Sequence, residues 1–317
     1  MQIVGAGMAG LLAAGMIRDR NVQVIEAATA LPNNHSAVLR FRSSIVGDAL
    51  DIQFKQVNMM KAVHEWRNPV ADSLAYSMKC NGSATLRSIM SAGSEIHKRY
   101  IAPSDLIQQM HNRINGSIEF GKPLTIDDVI SAKEPIISTV PMPLMMGILG
   151  WKEKPEFRFV NGFNINCTLE NVDAYVSVYV PDPLELFNRV SLTGNVMTIE
   201  VSLPHFSSAD EVSNYMNRIR DNDRERRELL KSALYVLGID KTIISNERWS
   251  VQRYAKILPI TEVERKTFVL WATDKFNIYS LGRFATWRPG LLMDDVVNDV
   301  RVIRRIINNG SYDHRKK

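Results

Sequence analysis

The sequence predicts an α/β fold: a parallel-sheet unit, split along the chain, that carries an inserted antiparallel sheet and a helical segment. Three observations predict it. A short apolar run leads into Gly5-Ala6-Gly7-Met8-Ala9-Gly10, the apolar period changes to two between residues 156 and 203, and the chain closes on a strand, Gly282-Arg283 and an amphipathic helix.

Each element follows from its residues. "QIV" is a short buried strand, "MAGLLAAGMIRD" the helix after it, and "VQVIEA" a second strand that closes a βαβ unit. Gly5 allows the sharp turn out of the first strand. Gly7 lacks a Cβ and lets a pyrophosphate approach the backbone, and Gly10 lets the helix pack closely on the sheet. The helix start directs the free amides of Met8 and Ala9 and a positive dipole end at that position. Glu26 lies 21 residues after Gly5, where a carboxylate accepts hydrogen bonds from ribose hydroxyls. A GxGxxG that follows a strand, opens a helix and has its acid at this distance reads as a Rossmann-type site for NAD or FAD. The acid disfavours the 2′-phosphate of NADP.

Beyond Glu26, "ATALPNNHS" reads as a polar loop and "AVLRFRSSIV" as a strand. Helices are expected in "FKQVNMMKAVHEW", "PVADSLAYSMKC", "SATLRSIMSAG" and "APSDLIQQMHNRI". "GSIEFGKPLTIDDVISAKEPIISTVP" reads as short strands, the last ending at Pro141 and adding to the parallel sheet. "EFRFVNGFNINCTL", "DAYVSVYV", "LFNRVSLTG" and "NVMTIEVSL" alternate as four antiparallel strands. Residues 208–238 form one or two helices, capped by Ser208 or Asp210 and stopped by Gly238. "RWSVQRYAKILPI", "KTFVLWAT" and "NIYSL" are read as strands, and "PGLLMDDVVNDVRVIRRIIN" as the closing helix with Pro289 near its start.

The composition is ordinary for a globular chain of 317 residues, with 45% hydrophobic and 23% charged. A disulfide framework is not expected from two cysteines, Cys80 and Cys167, and a reducing, cytoplasmic setting is. A secretory leader is not expected, since a strand-like run begins at residue 2. The longest apolar stretch, "VPMPLMMGILGW", holds two prolines and is too short to span a bilayer, so no membrane association is expected. Part of the net charge of +5 sits in the tail and part in residues 218–231, where acids alternate with bases. That alternation reads as a solvated helix face in preference to a nucleic-acid surface. His64, His97 and His111 fall on expected helices at unrelated spacing, so no metal is expected. The fourteen methionines read as core filler.

Four segments, in order, resemble the flavoprotein group that includes amine oxidases, protoporphyrinogen oxidase and UDP-galactopyranose mutase. They are "IVGAGMAGLLAA…VIEA", "PIISTVP", "VYVPDPLELFNRVS" and "NIYSLGRFATWRPGLLMDD". The resemblance implies non-covalent FAD. Its contacts would be Gly5 to Gly10, Glu26, Ala27, Thr139, Pro141, Gly282 and Arg283, with Leu291, Leu292 and Met293 at the start of the last helix beside the flavin pyrimidine. The loop after Glu26 lacks the glycines this group often places there, and Arg40 or Arg42 is offered as the phosphate contact instead. Expected boundaries are 1–50, 117–150 and 265–310 for a discontinuous FAD-binding domain, 51–116 for the helical segment, 151–264 for the substrate domain, and 311–317 for a disordered tail.

Flavin carries the redox chemistry and the protein supplies orientation and electrostatics. Candidate catalytic residues are Arg189, implied by the resemblance, with Arg253, Tyr254 and Trp287. Alternation would set Arg253 and Ala255 on one face and Tyr254 and Lys256 on the other. Asp294-Asp295 reads as a pair of dipole-complementing acids. Each reading has a plainer one beside it: a sheet-edge arginine, a half-buried strand, a core tryptophan. The expected function is FAD-dependent hydride removal from a C–H next to N or O of a polar, possibly anionic small molecule. The alternatives are a mutase using flavin N5 as nucleophile, a nucleic-acid-modifying flavoprotein, and a flavin monooxygenase. The last usually carries Gly-Asp-Ala where Gly282-Arg283-Phe284 stands here.

Overall fold

A computed structural model describes residues 1–31, 40–84 and 94–309. From residue 85 on, the helix expected in "SATLRSIMSAG" lies outside the described residues, as do most of "ALPNNHS" and the tail.

The chain opens with β1 (Gln2–Val4), α1 (Met8–Met16) and β2 (Val22–Glu26), then β3 (Arg40–Phe41) and α2 (Ile45–Leu50). It continues through β4 (Lys55–Val63), α3 (Pro69–Asn81), β5 (Glu95–Ile101), α4 (Leu106–His111) and β6 (Gly116–Phe120). α5 (Ile126–Ser131), β7 (Ile136–Ser138) and α6 (Met142–Ile148) follow. Next come β8 (Phe159–Leu169), β9 (Ala174–Tyr179), β10 (Arg189–Gly194) and β11 (Val196–Leu203). The last elements are α7 (Ala209–Asp221), α8 (Asp223–Val236), β12 (Ile244–Ile257), α9 (Glu262–Phe276), β13 (Ile278–Ser280) and α10 (Met293–Asn308).

Two sheets organise these elements. The parallel sheet has the order β13-β7-β1-β2-β6. Its inner strands β7, β1 and β2 are mostly apolar on both faces, because helices cover both, and the edge strand β6 is largely exposed. Ile3, Val24, Ile137 and Tyr279 face a core shared with α1, α2, α4 and α10. Their neighbours Val4, Ile25, Ile136 and Ile278 face a second core with α5, α6 and α9. β7 pairs with β1 as expected of "PIISTV".

The eight-stranded sheet has the order β12-β8-β11-β10-β9-β4-β5-β3 and is antiparallel except where β4 meets β9. One face is apolar: Phe163, Ile165, Val190, Leu192, Ile199 and Val201 pack under α7 and α8. The other face is polar. Successive cross-strand partners Ser250, Asn164, Glu200, Arg189 and Tyr179 form one row, and Arg248, Asn166, Thr198, Ser191 and Ser177 the next.

Several expected elements differ. "FKQVNMMKAVHEW" is the strand β4, with Val57 and Met59 buried in a period of two, and His97 stands on β5. Lys, Gln, Met and Ala favour a helix only by tenths of a kcal/mol each, roughly, and pairing with β9 outweighs that. "KTFVLWAT" lies in α9. Its Thr261–Glu264 capping box and the buried pair Phe268 and Ala272, four apart, make a helix of β-branched and aromatic residues. "TIDDVIS" is α5, begun by the Thr125–Asp128 capping box, where a strand was expected. The strand in "AVLRFRSSIV" comes down, among the described residues, to β3, and α2 follows it. α10 begins at Met293, so "PGLL" is its entry loop.

Candidate functional site

β1 delivers Gly5 to the C-terminal edge of the parallel sheet with φ +95, and its N–H donates to the Ile25 carbonyl at 2.8 Å. A Cβ on Gly5 would collide with Thr139 Oγ1, and one on Gly10 with the Gly5 carbonyl oxygen. Both positions therefore require glycine. At Gly7, by contrast, a Cβ would meet nothing within 4 Å. Gly7 is the N-cap of α1, so its bare backbone borders open space at the positive end of the helix, where the first-turn amides have no intrahelical acceptor.

The other expected segments are carried to the same edge. Glu26 ends β2, and its carboxylate accepts the N–H of Ala6 at 2.5 Å and of Ala28 at 2.8 Å. These two bonds lock the acid, with Ala27 between them in sequence, beside the glycine turn. Thr139 donates N–H and Oγ1–H to the Val4 carbonyl, at 2.8 and 2.9 Å. Pro141 caps α6, whose Met142 N–H reaches the Phe284 carbonyl at 3.0 Å. Gly282, with φ +89, brings the C-terminal segment against α1, where an added Cβ would come within 2.9 Å of Ala9 Cβ. The Nε–H of Arg283 is buried and has no partner among the described residues. Burial also holds its guanidinium pKa below the ordinary arginine value.

Ser43, just before α2, donates its N–H and Oγ–H to Asp294 Oδ1 at 2.9 and 2.6 Å. That clasp sets the start of α10, with Leu291, Leu292 and Met293, beside α1 and α2. Asp295 caps the helix by accepting the Leu292 N–H at 2.9 Å. The two acids are thus helix-start groups.

Arg40 does not reach this edge. Its guanidinium lies across the eight-stranded sheet and donates to Thr193 Oγ1, Ser177 Oγ and the carbonyls of Val176 and Leu192. Burial pushes its pKa down to about 10. Such a buried cation is tolerated because its donors are satisfied by oxygens of the sheet, which leaves little for a phosphate.

Of the candidate catalytic residues, Arg189 lies inside the polar face and not at a sheet edge. It stands opposite Glu200, forms a bidentate ion pair with it, and lies 5.7 Å from the Tyr179 ring. Burial works against the charged form, but the Glu200 carboxylate outweighs it and holds the guanidinium well above the ordinary value. Arg253 is exposed. The alternation expected around it is broken by a bulge between Gln252 and Lys256. Tyr254 adopts φ +54 and packs on Phe159, Phe284 and Trp287. Trp287 is a core residue, 1% exposed, and its Nε1–H donates to the Leu258 carbonyl at 2.8 Å. Its indole needs an acceptor when buried and finds one in the chain beside it.

The sequence reading missed Glu200, Tyr179 and Tyr76, which stacks edge-on to Tyr179 at 5.5 Å. The Thr-Gly-Asn hairpin held the signal for Glu200: its register sets residue 200 opposite 189. In 218–231, Arg218, Arg220, Arg224 and Arg226 each pair with an acid. No helix among the described residues is long and apolar enough to cross a membrane.

No family model matches the sequence, and no curated protein matches it. Solved structures do match in fold. An oxidoreductase from Methanosarcina mazei is 11% identical with a TM-score of 0.59, over 96% of this chain and 99% of its own. A candidate protoporphyrinogen oxidase from Exiguobacterium sp. 255-15 is 11% identical with a TM-score of 0.60, over 97% and 98%. Aklavinone-11 hydroxylase, solved as a ternary complex with FAD and aklavinone, is 16% identical with a TM-score of 0.52, over 96% of this chain and 61% of its own. The chain shares their α/β architecture.

Proposed function

We propose that this protein is an FAD-dependent oxidoreductase acting on a polar small molecule. The observation that carries the reading is the convergence of a glycine cradle, a locked carboxylate and an unpartnered buried arginine donor on one sheet edge. The similarity in fold to a hydroxylase solved with FAD supports the choice of cofactor.

The residues fit the group. Gly7 and the amides opening α1 suit the diphosphate, because backbone donors at a helix start favour an anion and no side chain intrudes. Glu26 keeps acceptor capacity for ribose hydroxyls beyond its two amide bonds. Arg283 would gain from phosphate oxygens the partner its Nε–H lacks. The start of α10 favours negative charge on the pyrimidine edge. Bound FAD supplies hydride acceptance from a C–H next to N or O. The chain's own part is to orient the substrate on the polar sheet face, with Arg189 held charged and in place by Glu200, and to exclude water.

The test begins with titration of flavin-free protein by FAD and by NADP. Saturable FAD binding, acid-releasable and without a covalent adduct, is expected, with no comparable NADP binding. Anaerobic addition of candidate amines and alcohols should then bleach the flavin. A mutase would instead need prior reduction and turn over without an acceptor. Absence of saturable FAD binding overturns the proposal.

A further inference from the structure

We infer that the polar face carries an oxyanion-recognition subsite built on Lys256 and Lys61 around the stacked pair Tyr76 and Tyr179, and that the substrate therefore bears a carboxylate or phosphate group. The inference rests on the flavoenzyme reading and names the substrate class of that site.

The bulge in β12 is the first ground. Up to Gln252 the strand pairs with β8 in a register that, continued, would set Tyr254 opposite Val160. Two extra residues intervene, and Lys256 takes that place. Val160 shares a strand face with Gly162, Asn164 and Asn166, the polar face that holds Glu200 and Arg189. The displaced Tyr254 takes a left-handed backbone and packs on Phe284, next to Arg283. Bulges and left-handed non-glycine residues cost energy and recur where a side chain is re-aimed at a functional site. Here the side chain re-aimed is that of Tyr254, which leaves the row, and the two-residue insertion keeps Lys256 on the polar face while drawing it along the strand to stand opposite Val160 in place of Arg158.

The second ground is charge. Arg189 is neutralised by Glu200, Lys79 donates to two carbonyls, and Arg40 is satisfied by hydroxyl and carbonyl oxygens. Lys256 and Lys61 are also half-buried on this face, yet neither ammonium has a hydrogen bond or ion pair among the described residues, and Glu95, opposite Lys61 on β5, pairs with His97 instead. Lys256 Nζ lies 5.2 Å from the Tyr76 ring centroid and Lys61 Nζ 5.4 Å from that of Tyr179, with the rings 5.5 Å apart. A ring face attracts an ammonium but cannot accept its N–H bonds as an oxyanion does. An ammonium beside each ring of one aromatic pair matches an anionic group attached to an unsaturated or cyclic body.

The experiment uses the full chain loaded with FAD and an amine-reactive reagent, with labelling of each lysine followed by peptide mass spectrometry. Inorganic phosphate and benzoate are the probes. Labelling of Lys256 is expected to slow about tenfold near saturation by at least one of them. Phosphate protection alone assigns a phosphoryl substrate, and benzoate protection alone a carboxylate. Calorimetric affinity for the protecting anion should fall about tenfold in Lys256→Met and recover in Lys256→Arg. Unchanged labelling with both anions, or equal affinity in Lys256→Met, overturns the subsite. Protection by FAD itself, before any anion is added, assigns Lys256 to the cofactor and overturns it too. A chain that takes up no FAD while anions still shield Lys256 overturns the cofactor reading instead.

Discussion

Arg283 buries its Nε–H with no hydrogen-bond partner among the described residues. An unsatisfied buried donor costs about 1–3 kcal/mol. Replacing the residue with an apolar one of similar length removes that cost, whereas loss of a structural ion pair would destabilise. Arg283→Met is therefore expected to leave the melting temperature of the flavin-free protein unchanged or raised, and to weaken FAD binding about 10- to 100-fold by losing a charge-assisted contact. Thermal melts beside FAD titrations check both halves. A lowered melting temperature with unchanged FAD affinity would make Arg283 an ordinary structural arginine. The Gly282-Arg283 dipeptide was legible in the sequence, as was Glu26. Residue-scale reading failed where partners are distant: nothing local to Arg40 says that it will bond Leu192, 152 positions away.

At the scale of the element, caps proved more informative than propensities. α9 is rich in β-branched and aromatic residues, and its hydrophobic run alone suggests a strand. Yet Thr261 accepts the Glu264 N–H at 3.2 Å, and Glu264 accepts the Thr261 hydroxyl at 2.5 Å. Thr261→Ala should destabilise the protein by about 1 kcal/mol, read as a lower denaturant midpoint at unchanged slope. An unchanged midpoint would mean that packing of Phe268 and Ala272 alone holds the helix. Ser208 and Glu211 form the same motif at the start of α7, where the sequence reading did place a helix. β4 was missed because its exposed positions carry lysine, glutamine, asparagine and methionine, and β5 because none of its residues is buried, so neither shows a strong two-residue period.

Over the whole molecule, Lys79 shows how α3 is tied to the large sheet. Its ammonium donates to the carbonyls of Val180, at 3.2 Å, and Asp182, at 2.7 Å, where the chain leaves β9. Burial pushes its pKa down from 10.5 to about 8, with Cys80, Glu185 and Asp182 opposing. Between those values the unfolded chain holds a proton that the folded chain has released, so stability rises with pH through that window. Below about pH 8 both states are charged, and the burial cost is fully present. The unfolding free energy of the wild type, taken relative to Lys79→Met, should therefore climb between pH 8 and 10.5 and level off above. Parallel curves across that range would show that Lys79 titrates as a solvated lysine.

By itself the sequence determined the glycine turn, the acid after β2, the four antiparallel strands β8 to β11 and the closing helix. These are set by contiguous residues, through backbone sterics, capping and a period that survives in one strand. Only the tertiary structure decided that β4 and β5 join the large sheet, that Arg189 is neutralised by Glu200, that Trp287 is core, and that a bulge removes Tyr254 from the polar row and sets Lys256 opposite Val160. Those outcomes depend on pairing and burial between segments far apart in the chain, where intrinsic preferences of a fraction of a kcal/mol, roughly, yield to the packing of whole sheets.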